Sequence, residues 1–316
     1  MGRNSFLFSV FCLQFSVCGF VRSPRSAVGS LIAVSIVLGI ILSAFSFKPK
    51  TKNGKQQTDF YQQPTANGQQ PTASFLLIKT IPLEAKDIQT DRLGNLYVVS
   101  KTNQLYKYSS EGKLLSTLNY KYLGNITQVD ATNPLEIYVF YKELNLVVFL
   151  DNNLAYRGEM SLANYGVGQA AAIARSYDNG LWVFDLGDMQ LKKMDKNGDN
   201  LQLSGNVRQY ISNTGSANFI YDDNERVFVN DSINGVLVFN VFGTYLKTLP
   251  IKGCKEVKVI DDELYYRQES QLKKYQLKTF TTTSYTMPDS VEVRDVSIEK
   301  ARLYLLKPTE VNIYSF

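Results

Sequence analysis

Residues 123–150 read LGNITQVDATNPLEIYVFYKELNLVVFL, a polar, turn-rich preface followed by two apolar runs. The runs, 136–141 and 145–150, are joined by Lys142-Glu143-Leu144. Tyr138, Val139, Phe140 and Tyr141 are β-branched or aromatic, side chains that pack well on a pleated surface, so the unit predicts strand, turn, strand. Looser copies recur along the chain. Aligned on their aromatic centres they place Tyr97, Tyr138, Trp182, Phe228, Tyr265 and Tyr304 at successive gaps of 41, 44, 46, 37 and 39 residues. Each centre follows a polar turn, such as 91–95, 131–134 or Asp261-Asp262, and precedes a second apolar run, such as 104–108 or 235–240.

A period near 40 with four strands per repeat is the signature of propeller blades. The pattern predicts an all-β, six-bladed β-propeller over residues 75–316. The last repeat stops just after its second run, so its outermost strand is missing. The run at 76–83 (LLIKTIPL) matches the outer strand at 245–251 (YLKTLPI), and is predicted to complete the sixth blade and close the ring. Closure matters because an open end leaves unpaired edge groups.

Residues 1–46 form an apolar leader. Its second half, 27–46, has no charge in 20 residues, follows Arg22 and Arg25, and ends in Ala44-Phe45-Ser46. That pattern fits a signal peptide cleaved after Ser46, and equally a membrane anchor. Two apolar segments in tandem also fit a start further downstream, at Val28 or Leu31. Residues 47–74, rich in Gln, Thr and Pro and without apolar periodicity, read as a disordered linker. The expected location is the periplasm, by export or by anchoring to the inner membrane.

The formal charge of +5 changes meaning once it is divided. Seven of the 34 basic residues and one of the 29 acidic residues precede residue 74, so the remainder is near neutral, at −1. A nucleic-acid partner is not expected, because counterion displacement needs a basic surface. Histidine is absent, which removes the commonest general base and metal ligand. Cys12 and Cys18 lie in the leader, leaving Cys254 as an isolated thiol without an activator. Asp195-x-Asn197-x-Asp199 mimics half a calcium loop but lacks its closing Glu, and reads as a hairpin turn. Asp87, Asp130, Asn218 and Asp295 precede the aromatic centres; solvated turns or strand ends are the expected setting for them, with the central channel as the alternative. No catalytic residue, cofactor cradle or metal set is assigned.

The pattern Asp91-x-x-Gly94-Asn95-x-Tyr97-Val98 resembles the repeat of six-bladed NHL-type propellers. Residues 123–135, followed by Tyr141-Lys142 and Leu150-Asp151-Asn152, resemble a family of Bacteroidota cell-envelope propellers that includes the plug subunit of the type 9 secretion translocon. This resemblance implies a non-enzymatic periplasmic module that binds an envelope protein, such as an outer-membrane secretion channel. The alternative is a calcium-dependent hydrolase of the lactonase or gluconolactonase type, with its site in the channel. Loops on a rigid scaffold concentrate binding residues, so the expected partner surface is Asn125, Thr127, Asp130, Asn133, Tyr141 and Lys142.

Overall fold

The aromatic repeats mark sheets. In this computed structural model, which describes residues 75–118, 121–211, 216–223, 225–289 and 291–315, six four-stranded antiparallel sheets follow one another. Helical structure among the described residues is confined to four short 3-10 turns. The first strand, β1 (Leu76–Ile81), belongs to the last sheet. Blade one is β2 (Ala85–Thr90), β3 (Leu96–Ser100), β4 (Leu105–Tyr108) and β5 (Leu114–Leu118); blade two is β6 (Gln128–Asp130), β7 (Glu136–Tyr141), β8 (Leu146–Asp151) and β9 (Tyr156–Ser161). Blade three is β10 (Ala170–Arg175), β11 (Leu181–Asp185), β12 (Gln190–Met194) and β13 (Asn200–Leu203). Blade four is β14 (Ala217–Asp222), β15 (Arg226–Asp231), β16 (Gly235–Asn240) and β17 (Tyr245–Leu249). Blade five is β18 (Val257–Ile260), β19 (Glu263–Gln268), β20 (Gln271–Gln276) and β21 (Thr282–Thr286). Blade six is β22 (Asp295–Glu299), β23 (Arg302–Leu306), β24 (Val311–Ser315) and then β1, which pairs antiparallel with β24 from Leu76↔Ser315 to Ile81↔Val311.

All six aromatic centres fall on the second strand of a blade. That strand has neighbours on both edges and sheets on both faces, so Tyr97, Tyr138, Trp182, Phe228 and Tyr304 are at most 1% exposed. The interior is six separate cores, one between each pair of adjacent sheets. In one of them Tyr304, Leu306 and Ile313 of blade six pack with Ile88, Leu96 and Val98 of blade one. Each fully buried aliphatic or aromatic side chain there contributes about 1.5–3 kcal/mol.

The turn between third and fourth strands repeats in chemical detail. Ser109, Asp151, Asp195 and Asn240 each accept backbone N–H groups two and four residues ahead. Asp195 thus makes a hairpin turn, not half of a calcium loop. The residue just after each turn's centre has positive φ: Gly112, Leu154, Gly198 and Gly243. Glycine suits three of them, and Leu154 tolerates the left-handed conformation while burying its side chain between blades one and two.

Because strands alternate in direction, turns from first to second and third to fourth strand share one face of the ring. Turns from second to third strand, and the links between blades, share the other. The expected leader and linker, 1–46 and 47–74, lie outside the described residues. Among the described residues no helix is long and apolar enough to cross a membrane.

Candidate functional site

The first strand of every blade has one edge left unpaired by its own sheet, so its backbone groups need other partners. On one side of the ring, amide and carboxylate side chains from a neighbouring blade supply them. Gln128 on β6 both donates to the Ile173 carbonyl (2.8 Å) and accepts from the Ile173 N–H (3.1 Å), and Asp130 accepts the Arg175 N–H at 2.6 Å. Asp222 accepts from the Trp182 indole at 2.9 Å and from the Tyr177 N–H at 3.2 Å.

On the other side, blade five projects two lysines across blade six towards blade one. Lys255, just before β18, donates to Asp295 at 2.5 Å and to Asp87. Lys258, within β18, donates to Thr90 at 2.7 Å and pairs with Glu299 at 2.6 Å. The two storeys have parallel spacing: 255 and 258 on one blade, 87 and 90 on another, 295 and 299 on the third. Thr90 and Ser297 share a hydrogen bond of 2.8 Å between them. Three consecutive blades, including the one that contains both β1 and β24, are therefore clasped by ion pairs.

Glu256 adds a third carboxylate to the upper storey. One oxygen each from Asp87, Glu256 and Asp295 lies within 4.8 Å of the others, and Gln89 donates to Glu256 at 2.5 Å. Burial pushes the Asp87 carboxyl up to about 6, with Lys255 opposing and Asp295 reinforcing. Burial, then Asp295 and Asp87, raise Glu256 well above the ordinary carboxylate range. Burial works against the Lys255 ammonium, but Asp87 and Asp295 outweigh it and hold its pKa above the usual lysine value. Lys258 is lowered by burial despite Glu299. A cavity of about 40 Å³ beside Gln89, Glu256, Lys258 and Ser297 has room for a few waters.

Two larger cavities open on the face that carries the first-to-second turns. One of about 550 Å³ is bordered by Tyr221, Asp223, Arg226, Asp262 and Glu299. Arg226 spans it between Asp223 at 2.9 Å and Asp262 at 2.7 Å. The other, about 260 Å³, is lined by Arg92, Thr132, Asn133, Arg175, Ser176 and Tyr177.

Of the four residues weighed for the channel, Asp87 and Asp295 converge and the other two do not. Asp130 accepts from the Thr132 N–H at 2.9 Å and the Arg175 N–H, and Asn218 accepts from the Asn230 amide at 2.7 Å. The converging set is a poor calcium site, because calcium takes six to eight oxygens and a tethered ammonium already lies between two of the three carboxylates. Lys255 and Glu256 carried no sequence signal beyond their place just ahead of a first strand. Cys254 is buried, donates to the Asn230 side-chain oxygen at 3.0 Å, and has its thiol pushed up to about 11 by burial.

The six residues expected at a partner surface separate. Asn125, Thr127 and Lys142 are exposed on the link face; there the Lys142 N–H donates to the Thr127 hydroxyl at 3.2 Å and the Asn125 amide to Glu143 at 3.5 Å. Asn133 lies beyond the other end of β7, about 20 Å away for a six-residue strand, and accepts the Leu135 N–H at 3.1 Å. Tyr141 and Asp130 are 1% and 6% exposed, so their side chains belong to the interior.

No family model matches the chain, and no curated protein matches it. Solved structures do. Virginiamycin B lyase from Staphylococcus aureus is 11% identical, over 77% of this chain and 100% of that one, with a TM-score of 0.57. A protein described as exported, from Bacteroides fragilis, is 11% identical over 78% and 96%, with a TM-score of 0.55. BamB from Moraxella catarrhalis is 14% identical over 77% and 98%, with a TM-score of 0.50. At these identities the likeness is one of fold.

Proposed function

We propose that this propeller is a non-enzymatic interaction module of the cell envelope, exported or anchored by its apolar leader, that docks on a membrane-embedded protein through one face of the ring. The observation that carries this reading is the filled axis. Lys255 and Lys258 occupy the channel between blades five, six and one, and the space beside them is about 40 Å³. Chemistry on an organic substrate needs a concave site that takes up most of the ligand; the space beside the lysines is too small for one, and the 550 Å³ cavity at the mouth is spanned by the ion pairs of Arg226. The faces remain. Two proteins of the same fold are described as exported and as BamB, which supports an envelope location. The sequence resemblance to the type 9 translocon plug makes an outer-membrane secretion channel the partner of choice.

A lyase activity is disfavoured by composition. A solved variant of virginiamycin B lyase with one histidine replaced by alanine is described as catalytically inactive, and this chain contains no histidine. The calcium-dependent hydrolase stays as the second reading, on the convergence of Asp87, Glu256 and Asp295. It requires Lys255 to leave.

The test is affinity purification from gently solubilised envelopes with a tag after Phe316, read by mass spectrometry. Stoichiometric recovery of an outer-membrane channel subunit is the expected result. Elution of the chain alone, together with calcium-stimulated lactone hydrolysis by the purified protein, refutes the interaction module in favour of the enzyme.

A further inference from the structure

The 260 Å³ cavity at the mouth of blades one to three is not used by the clasp. Arg92 and Arg175 line it from blades one and three, with Thr132 and Asn133 of blade two and Ser176 and Tyr177 of blade three. Its one acid, Asp222, is already engaged by Trp182, Ser176 and the Tyr177 N–H. Arg175 is oriented by Glu136 at 3.6 Å, and Glu136 is in turn shared with Lys196 at 2.7 Å. Arg92 is exposed, forms no ion pair among the described residues, and also borders the larger cavity, where Arg226 is paired. The lining therefore holds two guanidiniums against one carboxylate, a net charge of +1, beside hydroxyl and amide groups.

Three apolar side chains are exposed on the same turns: Tyr177, which lines the cavity, and Leu93 and Leu135, each next in sequence to a lining residue. Leu93 is 59% exposed, Leu135 69% and Tyr177 46%. Tyr177 is not a loose surface ring, since the Lys193 ammonium lies 4.8 Å from its centroid and is fixed by Asp178 at 2.6 Å. The corresponding turns of blades four to six expose Glu225, Asp261 and Lys300 instead, with no large apolar side chain at their tips among the described residues. The lining of the smaller cavity is net cationic with apolar neighbours, that of the larger is net acidic, and Arg92 stands between the two.

We infer that the cavity between Arg92 and Arg175 receives a carboxylate side chain of the protein partner, presented between apolar residues that pack on Leu93, Leu135 and Tyr177. This rests on the interaction-module reading and names the face and the chemistry it uses. A guanidinium offers a planar pair of donors to a carboxylate, and an apolar rim that excludes water strengthens the bond. The net acidic lining of the larger cavity then sets orientation by repelling the same partner segment.

The probe is the tripeptide acetyl-Leu-Asp-Phe-amide, titrated by calorimetry into the detergent-solubilised full chain. Saturable binding is expected. The Asn counterpart of the probe, acetyl-Gly-Asp-Gly-amide and inorganic phosphate should each bind roughly tenfold more weakly or not at all. Arg92→Gln, a change at an exposed position, should weaken the probe by a similar factor without moving the melting temperature; Leu135→Ser should weaken it less. No binding at millimolar probe overturns the inference, as does equal binding of the Asn peptide, of phosphate or by Arg92→Gln. Recovery of the envelope partner by the Arg92→Gln chain at wild-type yield would sink this site and leave the interaction module standing.

Discussion

Asp87→Asn isolates the electrostatics of the axial clasp. In the fold the Asp87 carboxyl titrates at about 6, against about 3.9 in an unfolded chain. A raised carboxyl favours the protonated fold, so the contribution of Asp87 to stability is fully present below about pH 3.9 and lost as pH rises through 6. The difference between the two values is worth about 3 kcal/mol, and that is a ceiling because Glu256 shares the repulsion. Asparagine at this position neither takes up nor releases a proton. The stability of the wild-type chain relative to Asp87→Asn should therefore fall by up to about 3 kcal/mol between pH 4 and pH 7. Carboxylates elsewhere that are held below their ordinary range, such as Asp185 and Asp231, titrate alike in both chains and cancel. Urea unfolding at several pH values reads this directly through Trp182, the single tryptophan and fully buried. A difference that is flat with pH, or that grows in favour of the wild type as pH rises, refutes the reasoning. It would mean that pairing with Lys255 outweighs burial and repulsion at Asp87.

Lys255→Met should destabilise the chain at pH 7 by about 2 kcal/mol, two charge-assisted bonds discounted for a side chain that is 42% exposed. The loss should shrink at pH 5, where Asp87 is mostly protonated, and a pH-independent loss in urea unfolding would contradict it. Calcium should leave the melting temperature of the wild type unchanged and raise that of Lys255→Met, whose three carboxylates then lack a cation; a rise in the wild type favours the hydrolase reading. Deleting residues 75–83 removes β1 and bares β24, with a loss of about 1.5–3 kcal/mol for each apolar side chain taken from the interior. A truncated chain that still melts cooperatively near the parent temperature counts against that strand's role. Cys254 should resist an aromatic disulfide reagent in the folded chain and react at once in urea, since its thiol is buried and its pKa is about 11.

The blades were legible in the sequence because their determinants are local. A second strand with neighbours on every side demands a continuous apolar run, and that demand returns about every 40 residues as Tyr97, Tyr138, Trp182, Phe228, Tyr265 and Tyr304. Turn chemistry is equally local, so Asp195-x-Asn197-x-Asp199 could be read as a hairpin from its residues alone. The alternation of strands also parts the expected partner residues. Asn133 and Lys142 flank β7 and must lie at its opposite ends.

What meets on the axis was decided only by the ring. Asp87 and Lys255 are 168 residues apart, and no periodicity within a blade brings blade five to blade one. Lys255-Glu256 ahead of a short apolar run looks like an ordinary solvated pair, and Asp87 and Asp295 look no different from Asp130 and Asn218. Side chains on first strands point into a space that exists only once six sheets have packed around it. There, distance across the axis, not distance along the chain, selects which charges must find one another, and burial makes them do so.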